Sequence, residues 1–167
     1  YLSHDMRYIN QENEQLYHQF KHFKKNYDFI VIHHGRHSWA DASNRIQYKG
    51  TEKLMKGFAS YCQSEKANPL LVLFEYGPDI SASKSLIKQL GIENNVIWLP
   101  ILPRKAIMLI LSLSDICTGE FGLSYLSFGT VLEAMAVKKP LLHYREDELY
   151  THDYPSLYPI KNCNTPM

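Results

Sequence analysis

Glu133 sits inside an apolar helical pattern, where a carboxylate is costly unless it has a partner. Residues 127–142 read Ser-Phe-Gly-Thr-Val-Leu-Glu-Ala-Met-Ala-Val-Lys-Lys-Pro-Leu-Leu, the pattern of a loop, a helix, a tight turn and a buried strand. Ser127 and Thr130 are N-cap residue types, and Gly129 permits a close backbone approach. Val131, Leu132, Met135 and Ala136 form the expected apolar stripe. The free N–H groups and positive dipole end of a helix N-terminus favour anions such as phosphate. A ligand with phosphates for the helix start and hydroxyls for Glu133 satisfies both features, and a nucleotide with a ribose is such a ligand. The alternative is a surface helix whose glutamate faces water.

A second group of residues follows the first strand. Arg36 and Lys49 flank one loop, and two cations there suit a diphosphate, which arginine holds in bidentate fashion and lysine as a point charge. The alternative is ordinary solvated loop charge. Neither G-x-G-x-x-G nor G-x-x-x-x-G-K-S/T occurs, so the common dinucleotide and P-loop fingerprints are absent. His33, His34 and His37 invite a metal reading, but no H-E-x-x-H and no cysteine partner supports it. His33 and His34 alternate faces of a strand and do not readily converge on one ion. Strand-end histidines beside a polar cleft are the better reading, with His37 placed to touch a substrate or a partner domain. Glu75, inside a hydrophobic strand, either emerges into a cleft or pairs with a base. Asp115 reads as a turn residue.

The elements that must position these residues alternate. A helix is expected near 10–25, from Leu16, Phe20 and Phe23 at helical spacing. Residues 28–34 are a continuous apolar run, typical of a strand buried on both faces. Further helices are expected over 51–66 (capped by Thr51), from Ser81 or Ser83 to Leu90, and over 103–114. Further strands are expected over 70–76, 95–99, 114–118 and 141–144. Strand and helix in alternation predict an α/β fold, a doubly wound parallel sheet with its ligand beyond the carboxyl ends of the strands. The special residues cluster at those ends: Gly35-Arg36, Gly77-Pro78, Leu99-Pro100, Gly119-Glu120 and Gly129.

Composition bounds the rest. The chain has 167 residues, 45% hydrophobic and 21% charged, which suits one domain with a proper core. A formal net charge of +1 gives no global field for nucleic acid or a membrane. The three cysteines are far apart, with no C-x-x-C, which argues against a disulfide framework or zinc site. Cys62 and Cys117 are expected as buried thiols in a reducing compartment. Three segments are expected: a helical lead-in over 1–26, an α/β domain over 27–145, and a polar tail over 146–167, with the chain as a whole a fragment or excised domain.

Taken together, Gly35-Arg36, Lys49-Gly50, Leu71 to Phe74, Gly77-Pro78, Asn95 to Leu99, Ser114 to Ile116, Glu133 to Ala136 and Lys139-Pro140 resemble the C-terminal, donor-binding domain of GT-B glycosyltransferases of the "glycosyl transferases group 1" type. The resemblance covers roughly residues 28–145 and implies a Rossmann-like fold. It implies that Arg36 and Lys49 hold the donor diphosphate and stabilise the leaving nucleotide. It implies that Glu133 binds the ribose hydroxyls and that Gly129 and Thr130 face the phosphates. Ile101 and Leu102 would pack on the base, with Arg104 close by and the strand-end glycines Gly35 and Gly77 lining the donor site. The donor would be a UDP or GDP sugar, with no cofactor and no metal. The sequence departs from the family pattern at Tyr125, where a glutamate usually contacts the donor sugar; Glu120 is nearby in a different register. The resemblance further implies a hexosyltransferase of retaining type. An N-terminal acceptor domain would complete it, and the acceptor would be a glycan or lipid, as in polysaccharide biosynthesis. The setting would be cytoplasmic, with peripheral association at the inner face of the membrane and no nucleic-acid partner. Two other readings stay open: half of a sugar-nucleotide epimerase, or a catalytically degenerate GT-B binding module.

Overall fold

Continuous apolar runs become the middle of a parallel sheet. The computed structural model describes residues 11–41, 43, 47–64, 67–126 and 128–163. β1 (Ile30–His33) and β2 (Leu70–Phe74) are buried at every position, which is why their sequences show no alternation. With β3 (Val96–Leu99), β4 (Ile116–Thr118), β5 (Leu141–His143) and β6 (Lys161–Asn162) they form a six-stranded sheet in the order β3-β2-β1-β4-β5-β6. Every pairing is parallel. The helices are α1 (Gln11–Asn26), α2 (Thr51–Ser64), α3 (Ile80–Leu90), α4 (Arg104–Leu113) and α5 (Gly129–Ala136). The expected doubly wound architecture is therefore present.

Alternate strand residues feed two layers. Ile30, Ile32, Leu70, Val72 and Phe74 pack with Phe20 and Phe23 of α1, with Leu109 to Leu111 of α4, and with Val131 and Ala134 of α5. Val31, Leu71 and Leu73 pack on the other face with Leu54, Met55 and Phe58 of α2 and Ile87 of α3. The chain winds from β1 out through β2 to β3 and then returns past β1 to β4, so crossovers of one hand place α2 and α3 on one face of the sheet and α4 and α5 on the other. Beside α2 the second layer opens into an apolar cavity of about 580 Å³, bounded by Val31, Ile116, Phe121 and Leu142 of the sheet side and by Leu54 and Phe58 of the helix.

Several expectations are corrected. The buried face of α5 is Val131 and Ala134, whereas Leu132 is 55% and Met135 40% exposed, and Ala136 is exposed too. The helix is only eight residues long, and the tight turn to β5 fixes which edge meets the sheet. Phe128 occupies its N-cap position without a side-chain bond, and Thr130 lies one residue inside the helix; Ser127 lies outside the described residues. α3 starts at Ile80, because Ser83 is drawn into the core as a hydrogen-bond partner and the Asp79 carboxylate serves a neighbouring loop. Thr51 is the first residue of α2 and points its hydroxyl at the Arg36 carbonyl, 3.5 Å away, in place of capping its helix. Cys62 is half-buried where a buried thiol was expected, Cys117 is buried, and both are free.

The flanking segments join the domain. Phe20 is fully buried, and Lys24 of α1 lies 2.7 Å from Asp115, whose other carboxylate oxygen accepts from the Ile30 N–H at 2.9 Å. Asp115 is thus a tie between α1 and the start of β1. After residue 145, whose structure the sequence leaves unclear, the chain adds β6 to the sheet edge. Arg145 is 2% exposed and bonded to Asp147 at 2.6 Å and to the Tyr158 carbonyl at 3.1 Å, so a charged residue is part of the interior there.

Candidate functional site

The strand order reverses between β1 and β4, and the loops leaving their carboxyl ends frame a crevice of the kind in which open α/β sheets bind ligands. His34, Gly35 and Arg36 leave β1; Gly119, Glu120 and Phe121 leave β4; α5 begins beyond them.

Glu133, in the second turn of α5, has the partner its position requires. Its Oε2 accepts from His34 Nε2 at 2.6 Å, and its Oε1 lies 3.0 Å from the Arg104 guanidinium at the start of α4. The His34 bond, helped by Arg104, holds the Glu133 carboxyl below its ordinary range despite burial. The two partners differ: the His34 side chain is 5% exposed and that of Arg104 73%.

Lys49 approaches the same helix from the other side. Its ammonium lies 2.9 Å from Glu120 and 4.7 Å over the ring of Phe128, the residue before α5. Tyr125 packs edge-on to Phe128 at 4.6 Å and is 5.9 Å from the ammonium. Burial pushes the Glu120 carboxyl up, and the Lys49 partner opposes that shift. His143 clamps this loop: its Nδ1 accepts from the Glu120 N–H at 3.1 Å and its Nε2 donates to the Tyr125 carbonyl at 3.2 Å. That pattern requires the neutral ring, and burial lowers its pKa accordingly.

Arg36 is half-buried and, among the described residues, its guanidinium makes no ion pair. A cation beside a crevice with no protein anion is available to an anionic ligand. Its loop is strapped to the turn after β2. The His37 N–H donates to the Tyr76 carbonyl at 2.7 Å, the Asp79 N–H to the His37 carbonyl at 3.1 Å, and the Trp39 and Ala40 N–H groups to the Asp79 carboxylate at 2.5 and 2.9 Å. Gly77 sits inside this strap with φ +121°, and a Cβ there would lie 2.3 Å from the His37 carbonyl oxygen. A Cβ at Gly35 would lie 2.8 Å from the His33 ring. Protein atoms fill the space beside both glycines.

The remaining residues separate. Among the described residues a Cβ on Gly129 meets nothing within 4 Å, so the start of α5 is open toward them. The Thr130 hydroxyl is buried with no partner among the described residues. Ile101 is 68% exposed at the mouth of α4, while Leu102 packs partly against the core. His37 does not reach the surface. It is fully buried, its Nδ1 2.8 Å from Ser83 Oγ, and burial lowers its pKa to about 4. A β-strand end followed by a turn back toward β2 carries it inward. His33 is buried as well, bonded to Thr118 at 2.7 Å. Glu75 pairs with Lys84 at 2.5 Å, one of the two outcomes expected for it. Among the described residues no group of three His, Cys, Asp or Glu side chains is placed to hold a metal ion.

Sequence reasoning placed His34 beside a polar cleft but missed its bond to Glu133, and it missed Phe128 as a site residue. Alternation along β1 puts His34 on the face opposite His33, and Glu133 needs a partner, but nothing local joins positions 99 apart.

The family model of "Glycosyl transferases group 1" matches residues 18–150. The chain belongs to this family. No curated protein matches the sequence. Among solved structures, proteins with the same fold include TarM of S. aureus, a single-residue mutant in complex with UDP and other ligands, at 17% identity and TM-score 0.56, covering 81% of this chain and 26% of that one. Alr3699/HepE of Anabaena, in complex with UDP-glucose, matches at 18% identity and TM-score 0.55, covering 80% and 35%. The catalytic domain of the cholesterol-α-glucosyltransferase of Helicobacter pylori matches at 22% and TM-score 0.53, covering 80% and 78%. At these identities the likeness carries the fold, which is that of the Rossmann-like half of GT-B glycosyltransferases. The chain spans about a quarter to a third of the first two proteins. Among the described residues no helix is long and apolar enough to cross a membrane.

Proposed function

We propose that this domain binds the donor of a glycosyltransferase reaction, a UDP or GDP sugar, and that a second, acceptor-binding domain completes the enzyme, which delivers a hexose to a glycan or lipid with retention of configuration. The observation that carries the reading is Arg36: a half-buried arginine at the strand-order reversal, with no protein carboxylate upon it among the described residues. UDP and UDP-glucose in the S. aureus and Anabaena proteins of the same fold support it.

The residues then divide the work. Arg36 and the open start of α5 take the diphosphate, Arg36 through two N–H groups and the helix through free N–H groups at Gly129 and Thr130. Lys49 adds a positive charge once phosphate displaces Glu120 from it. The chemistry is stabilisation of a departing nucleoside diphosphate, whose negative charge grows as the glycosidic bond breaks; fixed cations lower the barrier because they need no reorganisation at that moment. Neither a metal nor a cofactor is required for that role. Glu133 takes ribose hydroxyls, and Ile101 and Leu102 border the base beside Arg104. Gly35 and Gly77 act through the loop shape they allow. A cytoplasmic setting at the inner face of the membrane goes with a nucleotide-sugar donor and a lipid-linked acceptor.

Titration of the chain with UDP, GDP and their sugars tests the reading. The expected result is saturable binding, weakened at least tenfold by Arg36→Ala, since a charge-assisted bidentate contact contributes on the order of 1.5–3 kcal/mol. Absence of binding at millimolar nucleotide, with the chain folded, would overturn it.

A further inference from the structure

The two partners of Glu133 are not equivalent, and the difference assigns a task to His34. His34 is held inside the molecule, with its side chain 5% exposed and its ring edge-on to Phe74 at 6.4 Å. Its Nδ1 is buried with no partner among the described residues, so the one polar bond the ring makes is the 2.6 Å bond to Glu133 Oε2. Arg104 holds the other oxygen from a side chain that is 73% exposed. A carboxylate bonded at one oxygen by a fixed donor cannot spin about its Cγ–Cδ bond. Its second oxygen therefore keeps one direction, toward a guanidinium that lies in solvent.

We propose that His34 is a positioning residue that aims Glu133 Oε1 at the sugar ring of the nucleotide and thereby makes the site selective for ribonucleotides over 2′-deoxyribonucleotides. The proposal rests on the donor-site reading and deepens it. The incoming ribose displaces Arg104 from Oε1 and donates a hydroxyl to that oxygen, while Oε2 stays on His34 throughout. A 2′-deoxyribose lacks one of the two hydroxyls that compete for Oε1. With one hydroxyl in place of two it competes less well against Arg104 for the aimed oxygen, and it binds more weakly. Without His34 the carboxylate is free to rotate, to follow Arg104 outward or to take water, and its preference for the hydroxyl fades. The spacing also explains why the residue is a histidine. The Cβ of the residue just past β1 and the carboxylate of an α5 residue are bridged by a flat ring that presents an N–H at its far edge and sits edge-on to Phe74.

The test compares UDP with 2′-deoxy-UDP on the wild-type chain and three variants. The wild type should bind UDP about tenfold more tightly than the deoxy form, the value of one directed hydrogen bond to a charged group. His34→Ala should bring that ratio close to one. His34→Gln, whose amide supplies an N–H donor of similar reach, should restore most of it. Arg36→Ala should weaken both nucleotides alike and leave the ratio intact. A ratio that stays near the wild-type value in His34→Ala, with UDP still bound, would overturn the positioning role while leaving the donor site standing. Loss of the ratio in His34→Gln as well as in His34→Ala would also overturn it, because then the ring's packing and not its N–H is what matters. Failure of the wild type to bind either nucleotide would bring down the donor reading itself and this proposal with it.

Discussion

His37 and His33 each keep a ring nitrogen, Nε2, buried without a partner among the described residues. Burial lowers the pKa of both, to about 4 for His37, and lowers that of His143 too. The unfolded chain takes up protons near pH 6.5 while the folded chain does not, so the unfolded state binds more protons as pH falls below that point. The neutral rings' contribution is intact above pH 6.5 and declines as pH drops toward 4, by up to about 1.4 kcal/mol per pH unit for each histidine. The urea midpoint should therefore fall markedly between pH 7 and pH 5, and His37→Gln should shrink the drop; equal midpoints at the two pH values would refute this. The sequence set out His33 and His37, with His34, as a group that no metal motif supports. Their inward turn was not visible, because residue type does not reveal that Ser83, on a different helix, waits to receive His37. Glu133 was legible as a carboxylate in need of a partner. His34 as that partner was not, since the pairing joins the first strand to the last helix.

At the level of elements, α1 is an integral layer. Phe20 is fully buried against β1 and α4, and Phe23 lies 5.4 Å from it. Phe20→Ala should cost about 3–5 kcal/mol, the range for deleting a buried ring, as measured by urea denaturation. A loss below about 1 kcal/mol would show that α1 melts separately from the sheet. The helical spacing of Leu16, Phe20 and Phe23 made α1 legible, as continuous apolar runs did β1 and β2. α5 was legible as a helix but not in its facing. The stripe read from Val131, Leu132, Met135 and Ala136 mixes the buried and exposed faces, because in eight residues the tight turn to β5 selects Val131 and Ala134 for the core. β6 escaped because two exposed residues, Lys161 and Asn162, pair by backbone alone and leave no mark in side-chain pattern.

For the molecule as a whole, the alternation of strand and helix announced the parallel sheet, and right-handed crossovers then leave one site for a ligand, where the strand order reverses. The loop that brings Arg36 there does not hold its own shape. It leans on the turn after β2, through the His37, Trp39 and Ala40 bonds to Tyr76 and Asp79. Two glycines with positive φ separate this effect from ordinary backbone strain: Gly77 has the His37 backbone where its Cβ would be, and Gly91 has nothing within 4 Å among the described residues. Gly91→Ala should lower stability by about 1–2 kcal/mol and leave UDP affinity alone. Gly77→Ala should lower both stability and affinity, and unchanged affinity in that variant would show that the Arg36 loop is set by other contacts. The two turns are one mechanical part written at two addresses in the sequence, some forty positions apart. A lineage can lengthen or reshape one of them only by rewriting the other in step, so their histories should be read as a pair.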